Sequence, residues 1–194
     1  GIELALGFKQ NIGPVDWKTT LLWSLNRNRI DQLLPEYTNE ELGVTVHLDE
    51  MDVYSLGGAK QRLTVGGSMG DVYVNTMRTD EHGHIWMNSM TGTLETDKNN
   101  YVYAGNTNPK YTLSWRNEFN WKGISLGFML NARVGGIGVS ATQAVMDYYG
   151  VSKTSAEARD NGGVKVNGQM IDAQTWYQTI GANGTGYVGS MYVY

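Results

Sequence analysis

Residues 111–134 read YTLSWRNEFNWKGISLGFMLNARV. Two arms of nearly equal length flank the turn Trp121-Lys122-Gly123. In the first arm Tyr111, Leu113, Trp115, Phe119 and Trp121 share one face, and only Asn117 breaks the row. Thr112, Ser114, Arg116, Glu118 and Asn120 share the other. In the second arm Ile124, Leu126, Phe128, Leu130, Ala132 and Val134 oppose Ser125, Gly127, Met129, Asn131 and Arg133. Successive side chains of a strand point to opposite faces, so this alternation predicts a hairpin with one oily and one polar surface. A soluble sheet packed on a core would give the same pattern. The remainder of the chain has to decide which medium meets the oily face.

The same design occurs near the start. Ile2, Leu4, Leu6 and Phe8 oppose Glu3, Ala5, Gly7 and Lys9, and a short turn follows at Gln10-Asn11-Ile12-Gly13-Pro14. Val15, Trp17, Thr19, Leu21, Trp23 and Leu25 then oppose Asp16, Lys18, Thr20, Leu22, Ser24 and Asn26. Asn26-Arg27-Asn28-Arg29 is polar on both faces, as if the strand leaves its oily surroundings there. Between the hairpins, about residues 31–108, lies a long segment expected to be irregular. It has acidic turns, a glycine-rich strand-like piece at 63–77 and a polar run from Arg78 to Asn108. A second long stretch, about 135–188, follows the later hairpin. Within it Ser140–Tyr149 predicts a short helix stopped at Gly150, and Ser155–Asp160 a weaker one. Gly181–Gly189 reads as linker-like, and Met191-Tyr192-Val193-Tyr194 as the beginning of another strand.

Short turns on one side and long loops on the other are the pattern of an outer-membrane barrel. The arms fit in length: about 11 residues, rising ~3.4 Å each at ~45° tilt, span about 25 Å, the height of the apolar band. Composition points the same way. The chain has 25 Gly, 12 Tyr and 6 Trp among 194 residues, a profile of glycine-rich loops and amphipathic aromatics at lipid–water boundaries. No run approaches the ~18–20 apolar residues of a membrane helix. The absence of cysteine excludes disulfides and thiolate metal sites. A net charge of -4 gives no argument for nucleic acid.

Particular stretches resemble the SusC/RagA family, TonB-dependent outer-membrane transporters of Bacteroidetes. Asn106-Thr107-Asn108-Pro109-Lys110-Tyr111 and Phe119-Asn120-Trp121-Lys122-Gly123-Ile124-Ser125-Leu126 are similar to its late-barrel hairpin. Residues 148–164, YYGVSKTSAEARDNGGV, together with Val166-Asn167-Gly168, resemble its loop after that hairpin, and Gly1-Ile2-Glu3-Leu4 a strand that follows a tight turn. The piece at 66–73 departs from the family's aromatic-rich segment.

The resemblance implies a barrel of about 22 strands around a plug. It implies energy-coupled import of oligosaccharides or peptides, with a SusD-like surface lipoprotein as lid and TonB engaged through an N-terminal part not contained here. The fold class expected is therefore all-β, antiparallel strands of a transmembrane β-barrel with long extracellular loops carrying short helices, located in the cell outer membrane. Four strands would leave two open edges, which lipid does not tolerate. Both ends of the sequence fall inside strand patterns, so the chain is expected to be a fragment of the C-terminal half of such a barrel.

On this reading Trp17, Leu21, Trp23, Leu113, Trp115, Phe119, Leu126, Phe128 and Leu130 face lipid. Lys18, Arg116, Glu118, Asn131 and Arg133 face the lumen or plug. Arg116 and Glu118, two apart on one face, could pair with plug charges. Trp86, Tyr101, Tyr103, Trp176 and Tyr177 lie in the long segments, and their flat rings suit contact with substrate or lid.

No catalytic constellation is visible. There is no G-x-S-x-G, and Glu3, Glu95 and Glu118 are too scattered for paired carboxylates. Neither an enzyme nor a cofactor is expected. Asp80-Glu81-His82-Gly83-His84 reads as a loop tip rather than a metal site, and Asp97-Lys98-Asn99-Asn100 as a turn. The rival readings are a soluble β-rich carbohydrate-binding or adhesin module, a secreted β-sandwich hydrolase and a passive porin.

Overall fold

The computed structural model describes residues 1–181 and 186–194. The linker-like reading of Gly181–Gly189 lies in part outside the described residues. Among the described residues the chain is mostly antiparallel β-sheet with three short α-helices, and no described sheet closes into a barrel. It divides into two units, Gly1–Arg29 with Thr107–Gly136, and Ile30–Asn106 with Ile137–Tyr194.

The first unit is a four-stranded sheet. Its strands are β1 (Ile2–Ile12), β2 (Val15–Leu25), β9 (Tyr111–Trp121) and β10 (Ile124–Val134), each of 11 residues. Their spatial order is β1-β2-β9-β10. Both hairpin turns have two residues. At the first, Gly13 has φ +59 and Pro14 follows. At the second, Lys122 and Gly123 have φ 44 and 86, the double positive φ that a type I′ turn requires. Register keeps the faces in phase across all four strands. Leu4 pairs with Trp23 and Trp23 with Leu113; Leu6 pairs with Leu21, Leu21 with Trp115 and Trp115 with Leu130. The oily rows of the two hairpins thus merge into one surface.

The second unit shows where the expectation of an irregular connection over 31–108 fails. Six strands lie there: β3 (Leu34–Asn39), β4 (Val44–Leu48), β5 (Glu50–Leu56), β6 (Ala59–Thr64), β7 (Asp71–Met77) and β8 (Thr96–Asn106). β3 and β4 form a hairpin; β5-β6-β7-β8 form an antiparallel sheet. The strand-like piece at 63–77 holds the end of β6, a turn over 65–70 and the whole of β7. Breaks in register hide the sheet from a period-2 reading. β5 shifts between Asp52 and Tyr54, and β8 skips residues 98–100 between the pairs Asn75–Tyr101 and Thr76–Asp97.

Two of the three helices lie where the sequence puts them. α1 (Ala141–Tyr148) is capped by Ser140, whose hydroxyl accepts the Gln143 amide. α2 (Lys153–Asp160) is capped in the same way by Ser152 and the Ser155 amide. Both end in Schellman turns at positive-φ glycines: Val151 N–H donates to Met146 O, and Gly163 N–H to Ala158 O. α3 (Ala173–Ile180), capped by Asp172, was not expected. It follows a small hairpin, β11 (Val164–Val166) and β12 (Gln169–Ile171), whose turn is Asn167-Gly168. The Asn167 amide group clamps Ile85, accepting its N–H at 3.1 Å and donating to its carbonyl at 2.7 Å.

The core of this unit gathers Met77, Leu94, Ala144, Val166, Ile171, Trp176, Ile180, Tyr187, Val188 and Tyr192. The expectation of a terminal strand at Met191–Tyr194 is met only in part. Gly189–Met191 is a 3-10 turn, and Val193 bridges Val139, with the Gly138 and Tyr194 N–H groups donating to each other's carbonyls at 3.0 Å and the Ser140 N–H to Tyr192 O at 3.0 Å. Tyr192 is 1% exposed and meets Tyr187 edge-on at 5.6 Å, so core packing and a short antiparallel pairing together fix this end.

Close backbone approach also shapes the unit. Asn75 Oδ1 accepts the Gly189 N–H at 2.6 Å, and the Asn75 N–H donates to Gly58 O at 2.8 Å. A Cβ at Gly58 would overlap the carbonyl oxygen of Tyr187 and the side chain of Asn75. Gly58→Ala is expected to lower stability by about 2 kcal/mol or more, the scale of overpacking a rigid site. Gly138→Ala, which meets nothing within 4 Å, is the matched control and should be near neutral. Urea unfolding of both variants checks this; equal midpoints would refute it.

Candidate functional site

The residues expected to face lipid lie on one surface of the first unit's sheet. In the apolar rows are Trp17, Leu21 and Trp23 of β2, Leu113, Trp115 and Phe119 of β9, and Leu126, Phe128 and Leu130 of β10. No second sheet or helix of its own unit covers them. Leu126 is 63% and Leu130 58% exposed, and Ile2 of β1 is 59% exposed. An uncovered apolar surface of this extent marks an interaction with another protein or a membrane.

Within that surface the breaks in the apolar rows have a purpose the sequence does not disclose. Asn117 and Thr19 face each other across the β2–β9 pairing. The Trp17 indole N–H donates to Asn117 Oδ1 at 3.1 Å, and the Trp115 indole N–H to Thr19 Oγ1 at 2.9 Å. Asn117 is only 1% exposed. Phe119 stacks on Trp17 at 6.1 Å and on Phe128 at 6.3 Å, and Trp115 meets Phe128 edge-on. Two polar side chains thus satisfy two indole donors within the apolar surface.

The opposite surface carries Lys18, Arg116, Glu118, Asn131 and Arg133. Arg116 and Glu118 pair with each other, so their charges are balanced within the strand. Lys18 lies opposite Glu118, and Asn131 accepts the Ser114 hydroxyl at 2.6 Å. With Ser24–Thr112 at 2.7 Å and Ser125–Asn120 at 2.5 Å, this surface is laced with hydrogen bonds and suits contact with water or polar protein.

The five aromatics expected to touch substrate or lid lie in the second unit but are not brought together. Trp86 is half-buried beneath the Arg78 guanidinium at 4.5 Å. Tyr101 lies under the Lys60 ammonium at 3.6 Å. Tyr103 is exposed and meets Tyr73 edge-on. Partial burial, and then the nearby Asp71 carboxylate, push its phenol above the ordinary value. Tyr177 packs half-buried against the core, and burial raises its phenol too. Trp176 is corrected: at 9% exposure it is a core residue of α3 and offers no surface to a ligand.

The two acidic tips are turns. Asp80 Oδ1 accepts the amides of His82 and His84 at 2.8 and 2.9 Å. The His84 amide first, then that of His82, holds the Asp80 carboxyl below the usual aspartate range. Asp97 Oδ1 accepts the amides of Asn99 and Asn100, closing the residues that β8 skips. Among the described residues no group of three His, Asp or Glu side chains could hold a metal ion.

No protein-family model matches the chain, and no curated protein matches it.

One charge cluster was not anticipated. Arg62 Nε donates to Asp52 Oδ1 at 2.7 Å and Lys60 Nζ to Asp52 Oδ2 at 2.8 Å, while Arg62 lies over the Tyr73 ring. The Arg62 hydrogen bond, with Lys60 adding to it, holds the Asp52 carboxyl below its ordinary 3.8. A lowered folded value means that the pairing stabilises above the ordinary carboxylate range and is lost as pH falls through the lowered value. A carboxyl-detected NMR titration should place Asp52 below 3.8, and Arg62→Ala should return it towards that value while leaving Asp80 lowered. An Asp52 that titrates alike in both proteins would overturn the assignment.

Proposed function

We propose that the chain is the barrel-wall and extracellular-loop portion of an energy-coupled outer-membrane importer of oligosaccharides or peptides, of SusC/RagA type. The observation that carries this reading is the first unit's sheet: four register-matched strands of 11 residues with one continuous, uncovered apolar surface and one polar surface. Tilted as barrel strands are, such strands rise about 25 Å, the height of the apolar band. Both two-residue turns lie at one end of the sheet, as periplasmic turns do. The long connections leave from the other end, as extracellular loops do.

The exposed outer edges of β1 and β10 support incorporation into a larger barrel, because hydrocarbon tolerates no unpaired edge. In this reading the lipid of the outer membrane covers the apolar surface. The polar surface lines the lumen, against plug or solute. The long segments are extracellular loops in this reading, and a SusD-like lipoprotein and the substrate would meet Trp86, Tyr101, Tyr103 and Tyr177 there. TonB would act through the plug-bearing part of the polypeptide. No step of covalent chemistry is assigned to any residue.

The test compares neighbouring residues at one depth. Met129 is the midpoint of β10 and lies on the polar surface; Leu130 is the next residue and lies on the apolar one. In the complete gene product, Leu130→Arg should cost ~2–4 kcal/mol of folding free energy in lipid vesicles, whereas Met129→Arg should cost little. Urea titration of the vesicle-folded protein, followed by heat-modifiable gel mobility, measures both. Equal costs, or a compact monomer that needs neither lipid nor detergent, would favour a soluble carbohydrate-binding or adhesin module instead.

A further inference from the structure

Three Asn-Gly pairs occur in the sequence: Asn161-Gly162, Asn167-Gly168 and Asn183-Gly184. The third lies outside the described residues. Such pairs are chemically weak points. The backbone nitrogen of a glycine, unshielded by any Cβ, can attack the side-chain carbonyl of the asparagine before it. The first pair follows α2, the second is the turn between β11 and β12, and both are exposed. At Gly162 and at Gly168 alike, a Cβ would meet nothing within 4 Å. Access to the nitrogen therefore does not separate the two pairs. The asparagine side chains do.

Asn167 is held at both ends of its carboxamide. Its Oδ1 accepts the Ile85 N–H at 3.1 Å, and its Nδ2 donates to the Ile85 carbonyl at 2.7 Å. Its backbone has φ 48 and that of Gly168 φ 84, fixed by the pairing of β11 with β12. To swing over the Gly168 nitrogen, the side chain must break both bonds to Ile85. Asn161 is held only through its backbone, at φ -89 and ψ 8, and its carboxamide has no hydrogen-bond partner among the described residues. An extended ψ would bring its Cγ to the Gly162 nitrogen. That movement breaks only the closing bonds of the helix, Gly162 N–H to Arg159 O at 3.1 Å and Gly163 N–H to Ala158 O at 2.8 Å. The end of a short exposed helix frays far more often than a long-range clamp opens.

We propose that Asn161 is a site of spontaneous deamidation, and that the Ile85 clamp protects Asn167 from the same reaction. The Gly162 nitrogen gives its proton to hydroxide and forms a bond to Asn161 Cγ. The Cγ–Nδ2 bond breaks, the departing nitrogen takes a proton from water and leaves as ammonia, and a succinimide ring remains. Water then opens the ring at either carbonyl. Opening at Cγ gives aspartate; opening at the main-chain carbonyl gives isoaspartate. Nothing is oxidised or reduced. Either product sets a carboxylate at the C-terminal end of α2, where the helix dipole is negative and Glu157 and Asp160 stand nearby. The adjacent cation, Arg159, has Nη1 committed to Gly150 O at 2.7 Å. Isoaspartate also lengthens the main chain just before Gly163, which lies so close to the Ile171 carbonyl that no Cβ would fit. The modification therefore loosens the join between α2 and β11. This chemistry is independent of the import reading.

The experiment incubates the complete gene product in mildly alkaline buffer, folded in one arm and in denaturing urea in the other. Tryptic peptide mapping by mass spectrometry follows each pair, and Lys165 places Asn161 and Asn167 on different peptides. In the folded protein Asn161 should convert about tenfold faster than Asn167 or more, the scale of two hydrogen bonds lost. In urea the two rates should converge. Asn161→Gln, which would have to close a larger ring, should stop conversion there and leave Asn167 unchanged. Asn161→Asp should speed hydrogen exchange at the Gly162 and Gly163 amides. Three outcomes overturn the proposal: Asn161 intact in the folded protein while it converts in urea, Asn167 converting as fast as Asn161 when folded, or a difference in rate that urea leaves undiminished. Unchanged exchange in Asn161→Asp would overturn the structural consequence.

Discussion

The pairing of β2 with β9 holds the first unit together, and two reciprocal hydrogen bonds mark it. Trp17 on β2 reaches Asn117 on β9, and Trp115 on β9 reaches Thr19 on β2. The partners stand 100 and 96 residues apart in the chain. A one-residue slip would turn every apolar side chain of one hairpin to the polar side. It would also part both indole donors from their acceptors and take from the buried Asn117 carbonyl its partner. The Phe119 ring stacks on Trp17, and Phe128 meets both Phe119 and Trp115. The bonds therefore select one register, while the surrounding apolar residues supply most of the contact area.

The second unit solves a different problem. Apart from β8 its strands are short and partly exposed, so little of it could be stable as a sheet alone. Backbone polar groups and buried side chains bind its parts together instead. Asn75 ties β7 to both Gly58 and Gly189, Asn167 clamps Ile85, and the Ser152–Thr154–Ser155 cluster meets Asp147 between α1 and α2.

How much of this was legible in the sequence follows from periodicity. The four long strands keep a strict alternation, and their turns carry the residues that positive φ needs, so both hairpins could be read with little error. The break at Asn117 was visible as an exception; its reason was not, because the partner lies on a distant strand. The strand-like reading of 63–77 caught β7 and the end of β6; the other strands between Leu34 and Asn106 were missed because irregularities at Leu34–Tyr37, Asp52–Tyr54 and residues 98–100 interrupt their alternation. The α3 helix was missed although its signal was present. Asp172 is a good cap, and Ala173, Trp176, Tyr177 and Ile180 follow an i, i+3, i+4, i+7 spacing. Recognising that spacing would have moved Trp176 from the surface to the core. Asn167-Gly168 likewise announces the β11–β12 turn.

Neither unit is continuous in the chain: each is made of two segments, and the segments alternate. When synthesis has reached Leu25, β2 has its hairpin partner but its other edge must await Tyr111. When Asn106 has been added, the β5–β8 sheet exists, yet Tyr187, Val188 and Tyr192, which complete the adjoining core, are still to come. Each half-built unit therefore waits for the other to be partly made, and its unfinished surfaces are open to unwanted partners in the meantime. Once both are complete, the same lacing works in reverse. A single backbone cut between Ile30 and Asn106 would leave β2 hydrogen-bonded to β9 and the pieces held as a non-covalent complex.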